Sequence, residues 1–260
     1  MTNEPVLENR LPARLSEGRL ALSAWFSTPH PLVQEAFLGA DFDLVTFDMQ
    51  HGMHEAGEIR DGVALACRFG RPAVVRVPVG AYGLASWALD MGASGIIMPM
   101  IETVADTQAL VKAVKYPPLG LRSYGPARAA DLMKRSAADY VAGANRETLA
   151  FAMIETQGAM AALEDIAKVD GLDGLFVGPA DLSIALSDDG RLDIEGDRLK
   201  GALERIVAAT EAAGKIPGIY APTPDHVRHY AALGFRYVCV SSDIGVVKEG
   251  ARRLAEEARG

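Results

Sequence analysis

Cysteine is nearly absent from this chain, lysine is sparse, and no long apolar run occurs. The two cysteines among 260 residues, Cys67 and Cys239, form no CxxC or Cys/His pattern. A zinc centre of the Cys/His kind and a redox dithiol are therefore excluded as readings. Cys67 falls in an apolar helical pattern and Cys239 in an apolar strand pattern, so both are expected as small core residues in a reducing compartment. No apolar stretch approaches the roughly 18 residues that cross a bilayer, and the opening MTNEPVLENRLPARL lacks the apolar centre of a secretory leader. A cytoplasmic protein with no membrane contact is expected. Positive charge is in deficit too, with a net charge of −8. Phosphate backbones need a basic face, so no nucleic-acid partner is expected. Any metal must be held by carboxylates, with histidine as the remaining candidate.

What the chain does contain is regular. Eight short apolar runs recur: 20–27, 43–49, 73–78, 95–101, 151–156, 174–179, 217–221 and 237–242. They are near-continuous in apolar character rather than alternating, as befits parallel strands covered on both faces. Helix-spaced segments separate them, several closing on glycine. Eight strands alternating with helices in a chain of this length is the arithmetic of a (β/α)₈ TIM barrel, here one domain over residues 1–260. An open doubly wound sheet is the runner-up. It usually carries a glycine-rich turn after its first strand, and this chain has STPHP there. One connection, 116–147, is long and holds Arg122, Tyr124, Arg128 and Arg135. It reads as an ordered flap or interface segment, with a solvated insertion as the alternative.

In such a barrel the chemistry belongs at the C-terminal ends of the strands. The second run delivers Asp48, Gln50, His51 and then His54; the third carries Arg76 inside VVRVP; the fifth ends at Glu155; the sixth leads into Asp181 through GLFVGPADLS. Tyr220 and Asp243 end the last two. A guanidinium in an apolar strand needs an anion, whether a substrate or a structural partner such as Asp48. An Asp three residues before a His can orient the imidazole as in acid–base dyads. Glu155 and Asp181 come from adjacent strands about 5 Å apart, so both can reach one Mg²⁺, Mn²⁺ or similar cation. The plain alternatives are a helix cap for Asp181 and a salt bridge to Arg76 for Glu155. His226 and His229 read as structural. None of the seven lysines falls at the C-terminal end of a run. Schiff-base chemistry is therefore excluded, and a carbonyl would be activated by a metal instead.

The stretches DLVTFDMQHG, VVRVP, GIIMPMIET, KYPPLGLRSYG and GLFVGPADLS, in this order, resemble the metal-dependent (class II) pyruvate aldolases of the HpcH/HpaI type. Citrate lyase β-like proteins are more distant relatives. The resemblance implies reversible cleavage of 4-hydroxy-2-oxo acids to pyruvate, or a related 2-oxo acid such as hydroxypyruvate, plus an aldehyde. It implies Glu155 and Asp181 as ligands of Mg²⁺, Mn²⁺ or Co²⁺, Arg76 as stabiliser of the enolate oxygen, and His51 with Asp48 as proton handlers. Backbone around Gly178, Pro179, Ala180 and Asp181 would receive the substrate carboxylate, and Trp25 and Tyr220 would line the pocket. Asp90 matches an acid that reaches a neighbouring subunit's site, in hexamers built as trimers of dimers with an exchanged C-terminal helix. Two departures stand out: Met153 where members often have Gln, and Gln50, placed beside the substrate, where they often have Glu. A lyase acting on CoA thioesters and a non-catalytic barrel binding small acids are the competing functions. The first needs a basic groove, for which residues 122–135 are the one candidate.

Overall fold

A computed structural model describes residues 11–260. Eight strands, β1 (Ala21–Phe26), β2 (Leu44–Asp48), β3 (Ala73–Arg76), β4 (Gly95–Met98), β5 (Leu149–Ile154), β6 (Gly174–Val177), β7 (Ile216–Ala221) and β8 (Tyr237–Val240), alternate with helices. Each strand pairs in parallel with the next, and β1 pairs with β8, so the sheet closes into a barrel. The expected TIM barrel is the observed fold. No helix of the described residues is long and apolar enough to cross a membrane.

Strand alternation divides the interior in two. On β2, Val45 and Phe47 face the helices and join a core with Ile59, Ile96 and Leu175. Leu44 faces the lumen, in a second cluster with Trp25, Val74, Ile97, Phe151, Met153, Phe176 and Tyr237. Both sets are buried, which is why the strands read as continuous apolar runs. Leu11 and Leu15, on the short helix Leu11–Ser16, join the lumen cluster with Ala21, Leu44 and Leu149. These last three begin their strands, so the helix stoppers the N-terminal end of the barrel. The opposite mouth is thereby the end of the barrel left open to a site.

Midway up the lumen lies a buried polar chain. Thr46 Oγ1 lies 2.8 Å from Ser23 Oγ, 2.5 Å from Tyr237 Oη and 3.4 Å from Cys239 Sγ. Pairing these groups with one another satisfies hydroxyls that burial would otherwise penalise. Cys239 is buried as expected, whereas Cys67 is only half-buried, its thiol donating to Leu132 O.

The long connection is ordered and helical in part, with helices Ala127–Leu132 and Ala137–Glu147. Arg122 is buried between Tyr116 and Tyr140 and ion-paired to Asp90 at 2.7 Å. The outer side of the connection is open, with Leu119, Leu121 and Tyr124 exposed. The following strand begins at Leu149, two residues earlier than the apolar run suggests, because Leu149 and Ala150 already pair with Gly95 and Ile96. Lys115 and Lys215 bond to carbonyls at the N-terminal side, Lys115 on Thr148 O and Lys215 on Leu172 O. Neither reaches the mouth.

Candidate active site

A cleft of about 260 Å³ opens at the C-terminal end of the barrel. Every strand but β4 sends residues into its wall: Trp25 from β1 and Ser27 after it, His51 after β2, Arg76 from β3, Met153 from β5, Gly178–Asp181 after β6, Tyr220 from β7 and Ser242 after β8. The volume suits a small polar molecule.

Asp48 and Arg76 end neighbouring strands in register. The Arg76 guanidinium donates from Nε to Asp48 Oδ1 at 2.9 Å and from Nη2 to Oδ2 at 2.8 Å. Its Cζ sits 4.7 Å from the centroid of the Trp25 ring, and Tyr220 meets that ring edge-on at 5.3 Å. The buried cation is thus paired, stacked and held planar against the cleft. The salt bridge from Glu155 to Arg76, considered from the sequence, is not the arrangement formed.

Asp48 has a second task. Its Oδ1 accepts from the backbone N–H of Gln50 at 3.0 Å and of His51 at 3.4 Å, closing a turn. Its contact with His51 is therefore through the main chain, not the imidazole. The His51 ring is exposed on the cleft wall. Gln50 is half-buried outside the lining, with Oε1 buried and unpartnered. His54 is the buried member of this loop: Nδ1 bonds to Asp48 O at 3.0 Å, Nε2 lies 3.4 Å from Gln34 Nε2, and burial lowers its pKa. His54 acts as a strap for the loop. His226 sits between Thr223 and Glu195, away from the cleft.

Across the cleft are the two carboxylates. Glu155 follows β5 and is 2 % exposed. Its Oε1 accepts from the Met100 N–H at 2.8 Å, while Oε2 is buried without a hydrogen-bond partner. Burial, and then the neighbouring Asp181 charge, push its pKa up to about 7, against the Met100 bond that lowers it. Asp181 is exposed at the third residue of helix Pro179–Leu186, whose N-cap is Gly178 with no side-chain cap. The acid does not cap its helix, so the cap reading fails and its oxygens stay available. Gly178 is needed for space: a Cβ there would lie 2.5 Å from Glu155 Oε2 and 2.7 Å from Met153 Cε. Its φ of −94° is open to any residue.

A buried carboxylate oxygen with no donor, beside a second acid, is a costly arrangement for a protein alone. It fits a divalent cation, whose charge compensates both acids and whose hard oxygen preference matches them. No group of three or more His, Cys, Asp or Glu that could hold a metal occurs among the described residues. Two carboxylates with water or substrate oxygens in the remaining positions is the donor set available.

Ser27 and Ser242 line the cleft, although nothing in the sequence pattern marks them. Asp243, fully buried, explains their placement. Its carboxylate accepts from Ser27 N at 2.9 Å and from Thr28 N and Oγ1 at 3.0 and 2.6 Å, tying the exit of β1 to that of β8. Asp90 is elsewhere. It ends helix Tyr82–Asp90, which runs back toward the N-terminal side, and it is bound to Arg122.

Residues 22–249 match the family described as HpcH/HpaI aldolase/citrate lyase. The chain belongs to that family. A hydroxypyruvate/pyruvate aldolase of Rhizorhabdus wittichii is 35% identical over 251 residues, covering 96% of this chain and 99% of the relative. A 5-keto-4-deoxy-D-glucarate aldolase of Shigella dysenteriae is 31% identical, covering 98% of each chain. The crystal structure of a family protein from Burkholderia cenocepacia superposes with a TM-score of 0.87 at 31% identity, covering 97% of this chain and 100% of that one.

Proposed function

We propose that this chain is a divalent-metal-dependent aldolase that cleaves 4-hydroxy-2-oxo acids reversibly to pyruvate, or a related 2-oxo acid such as hydroxypyruvate, and an aldehyde. That it is a lyase of the aldolase kind follows from its family and its aldolase relatives. The observation that carries the metal is the unpartnered, buried Glu155 Oε2 beside Asp181.

In this reading Glu155 and Asp181 would hold Mg²⁺, Mn²⁺ or Co²⁺. The cation, when bound, supplies Lewis-acid polarisation of the 2-oxo group and charge stabilisation as an enolate forms. The chain's own residues do the rest. The helix start at Gly178, Pro179, Ala180 and Asp181 presents backbone to the substrate carboxylate, where the positive helix end favours an anion. Arg76 spends Nε and Nη2 on Asp48, leaving Nη1 for the oxygen where negative charge develops. Asp48 keeps that fork planar and in place. His51, exposed on the wall, removes the C4 hydroxyl proton in cleavage and returns one at C3, directly or through a water. Trp25, Met153 and Tyr220 form an apolar floor that keeps water from the carbanionic carbon. Burial raises the Tyr220 phenol above its ordinary pKa, so it is a neutral donor there.

A retro-aldol screen coupled to pyruvate detection, with and without EDTA and with Mn²⁺ or Mg²⁺ restored, tests the proposal. Activity that survives thorough chelation would overturn it. The hexamer belongs to the same proposal. In helix Asp243–Glu257 only Asp243 is buried, and Val246, Val247 and Leu254 are exposed for exchange with a partner copy. So does cytoplasmic residence, in keeping with two free thiols.

A further inference from the structure

Three non-glycine residues among those described have left-handed backbone: Lys134, Ser241 and Met100, the last at φ 54°. Lys134 lies in the long connection, far from the mouth. Ser241 follows β8 and turns the chain so that Ser242 enters the cleft wall and Asp243 reaches β1. Met100, two residues past β4, has no such burial to explain it, since its side chain is 41% exposed. Left-handed backbone is strained for a residue carrying a Cβ, and it persists only where the surroundings impose it.

What the Met100 conformation accomplishes is the delivery of one N–H. That group donates to Glu155 Oε1 at 2.8 Å, the one hydrogen bond formed by this side chain. The two carboxylate oxygens are thereby made unequal. Oε1 is tied to the chain leaving β4, while Oε2 is left on the Gly178 side, toward the helix of Asp181. β4 contributes no side chain to the cleft; its contribution is this backbone group.

We infer that Met100 is a positioning residue, whose left-handed backbone fixes the rotation of the Glu155 carboxylate and leaves Oε2 as the oxygen free for a cation. The inference rests on the metal role proposed above for Glu155 and Asp181. The Met100 side chain is incidental to it. Any residue that can hold a positive φ and keep its N–H serves, and a residue that cannot do so lets the carboxylate turn.

Mn²⁺ binding to the metal-free full chain, measured by calorimetry, tests this with four variants. M100G accepts positive φ freely, and M100L changes the side chain alone; both bind Mn²⁺ within a factor of about three of the native chain, the span left by one lost surface contact. M100I keeps the N–H but resists positive φ, and M100P has neither N–H nor access to that conformation. Both bind more weakly, M100P by about tenfold to a hundredfold, the usual consequence of losing a group that orients a metal ligand. The unfolding free energy of metal-free M100I falls by less than its Mn²⁺-binding free energy does, which separates positioning from stability should M100P not fold. Native-like Mn²⁺ affinity in M100I, or in a folded M100P, overturns the inference and leaves the proposed function standing. No Mn²⁺ binding by the native chain overturns both.

Discussion

Asp48 and Arg76 stand opposite one another on adjacent barrel strands and share a two-point fork, Nε on Oδ1 at 2.9 Å and Nη2 on Oδ2 at 2.8 Å. The pair is almost fully buried, at 2% and 7% exposure. A lysine in place of the arginine keeps the charge but loses the planar fork and the stacking on Trp25. R76K is therefore expected to lower kcat/KM by about 10²–10³, the scale of losing one preorganised donor to a developing oxyanion. D48N leaves a buried guanidinium short of its anion, and the protein is expected to lose about 3–5 kcal/mol of stability. Steady-state kinetics on R76K and denaturant titration of D48N check the two halves. An R76K enzyme as fast as the native one contradicts the first.

Glu155 makes the metal-free protein sensitive to pH in a direction that can be worked out. Its pKa in the fold is about 7, against an ordinary 4.5, chiefly because burial penalises the anion. Its contribution to stability is fully present below pH 4.5 and is lost as pH rises through about 7, a change of about 3 kcal/mol. E155Q, neutral throughout, escapes that loss. The difference in melting temperature between E155Q and native chain, both in EDTA, is expected to be small near pH 4.5. It should grow in favour of E155Q up to pH 7 and level off above. Adding Mn²⁺ at pH 8 is expected to raise the native melting point and leave that of E155Q in place.

The two histidines after β2 are expected to separate cleanly. The His51 ring is exposed and has no hydrogen-bond partner among the described residues, so H51A is expected to melt as the native protein does. Its turnover is expected to fall by about 10²–10⁴, the range for losing a proton-transfer group. His54 is buried on Asp48 O. H54A is expected to destabilise, because Asp48 O and Gln34 lose a partner in the interior. Burial lowers the His54 pKa, so the neutral ring is the form the fold accepts. Its share of stability is present above the ordinary value of 6.5 and declines as pH falls below it. That decline is expected to vanish in H54A melting curves taken between pH 5 and 8, whereas H51A keeps it.

The barrel was legible because its two cores impose a pattern a reader can see: Leu44, Val45 and Phe47 are apolar on both faces of β2, interrupted only by the hydrogen-bonded Thr46, since both faces are covered. The carboxylates were legible from where their strands stop. What is not legible depends on backbone and on partners distant in sequence. Ser27 enters the cleft because Asp243, 216 residues on, accepts its N–H. Arg122 belongs to the stretch that offered a basic groove, yet Tyr116, Tyr140 and Asp90 enclose it. The spacing of Asp48 and His51 suggested a carboxylate on an imidazole. The acid instead holds the main chain of the turn, since Arg76 occupies its oxygens. Spacing brings residues near one another but does not decide which atoms meet when a third group competes.

Gly178 provides a test of the site that does not pass through catalysis. Its backbone torsion is one that alanine adopts, so G178A costs nothing in conformation. The cost is spatial: the new methyl meets Glu155 Oε2 at 2.5 Å and Met153 Cε at 2.7 Å. Met153 is flexible and can yield, but Glu155 is tied to Met100 and can yield only by breaking that bond or moving its free oxygen. G178A is therefore expected to lose about 1–3 kcal/mol as an overpacked core does, and to bind Mn²⁺ more weakly because the carboxylate has turned. Trimming the second neighbour, in G178A/M153A, removes the sulfur-side contact and leaves the carboxylate-side contact in place. If the Glu155 oxygen is what Gly178 makes room for, the double variant still lacks the native chain's full rise in melting temperature on adding Mn²⁺. Recovery of that rise would mean that Gly178 is there for Met153, and that the carboxylate has more freedom than its surroundings indicate.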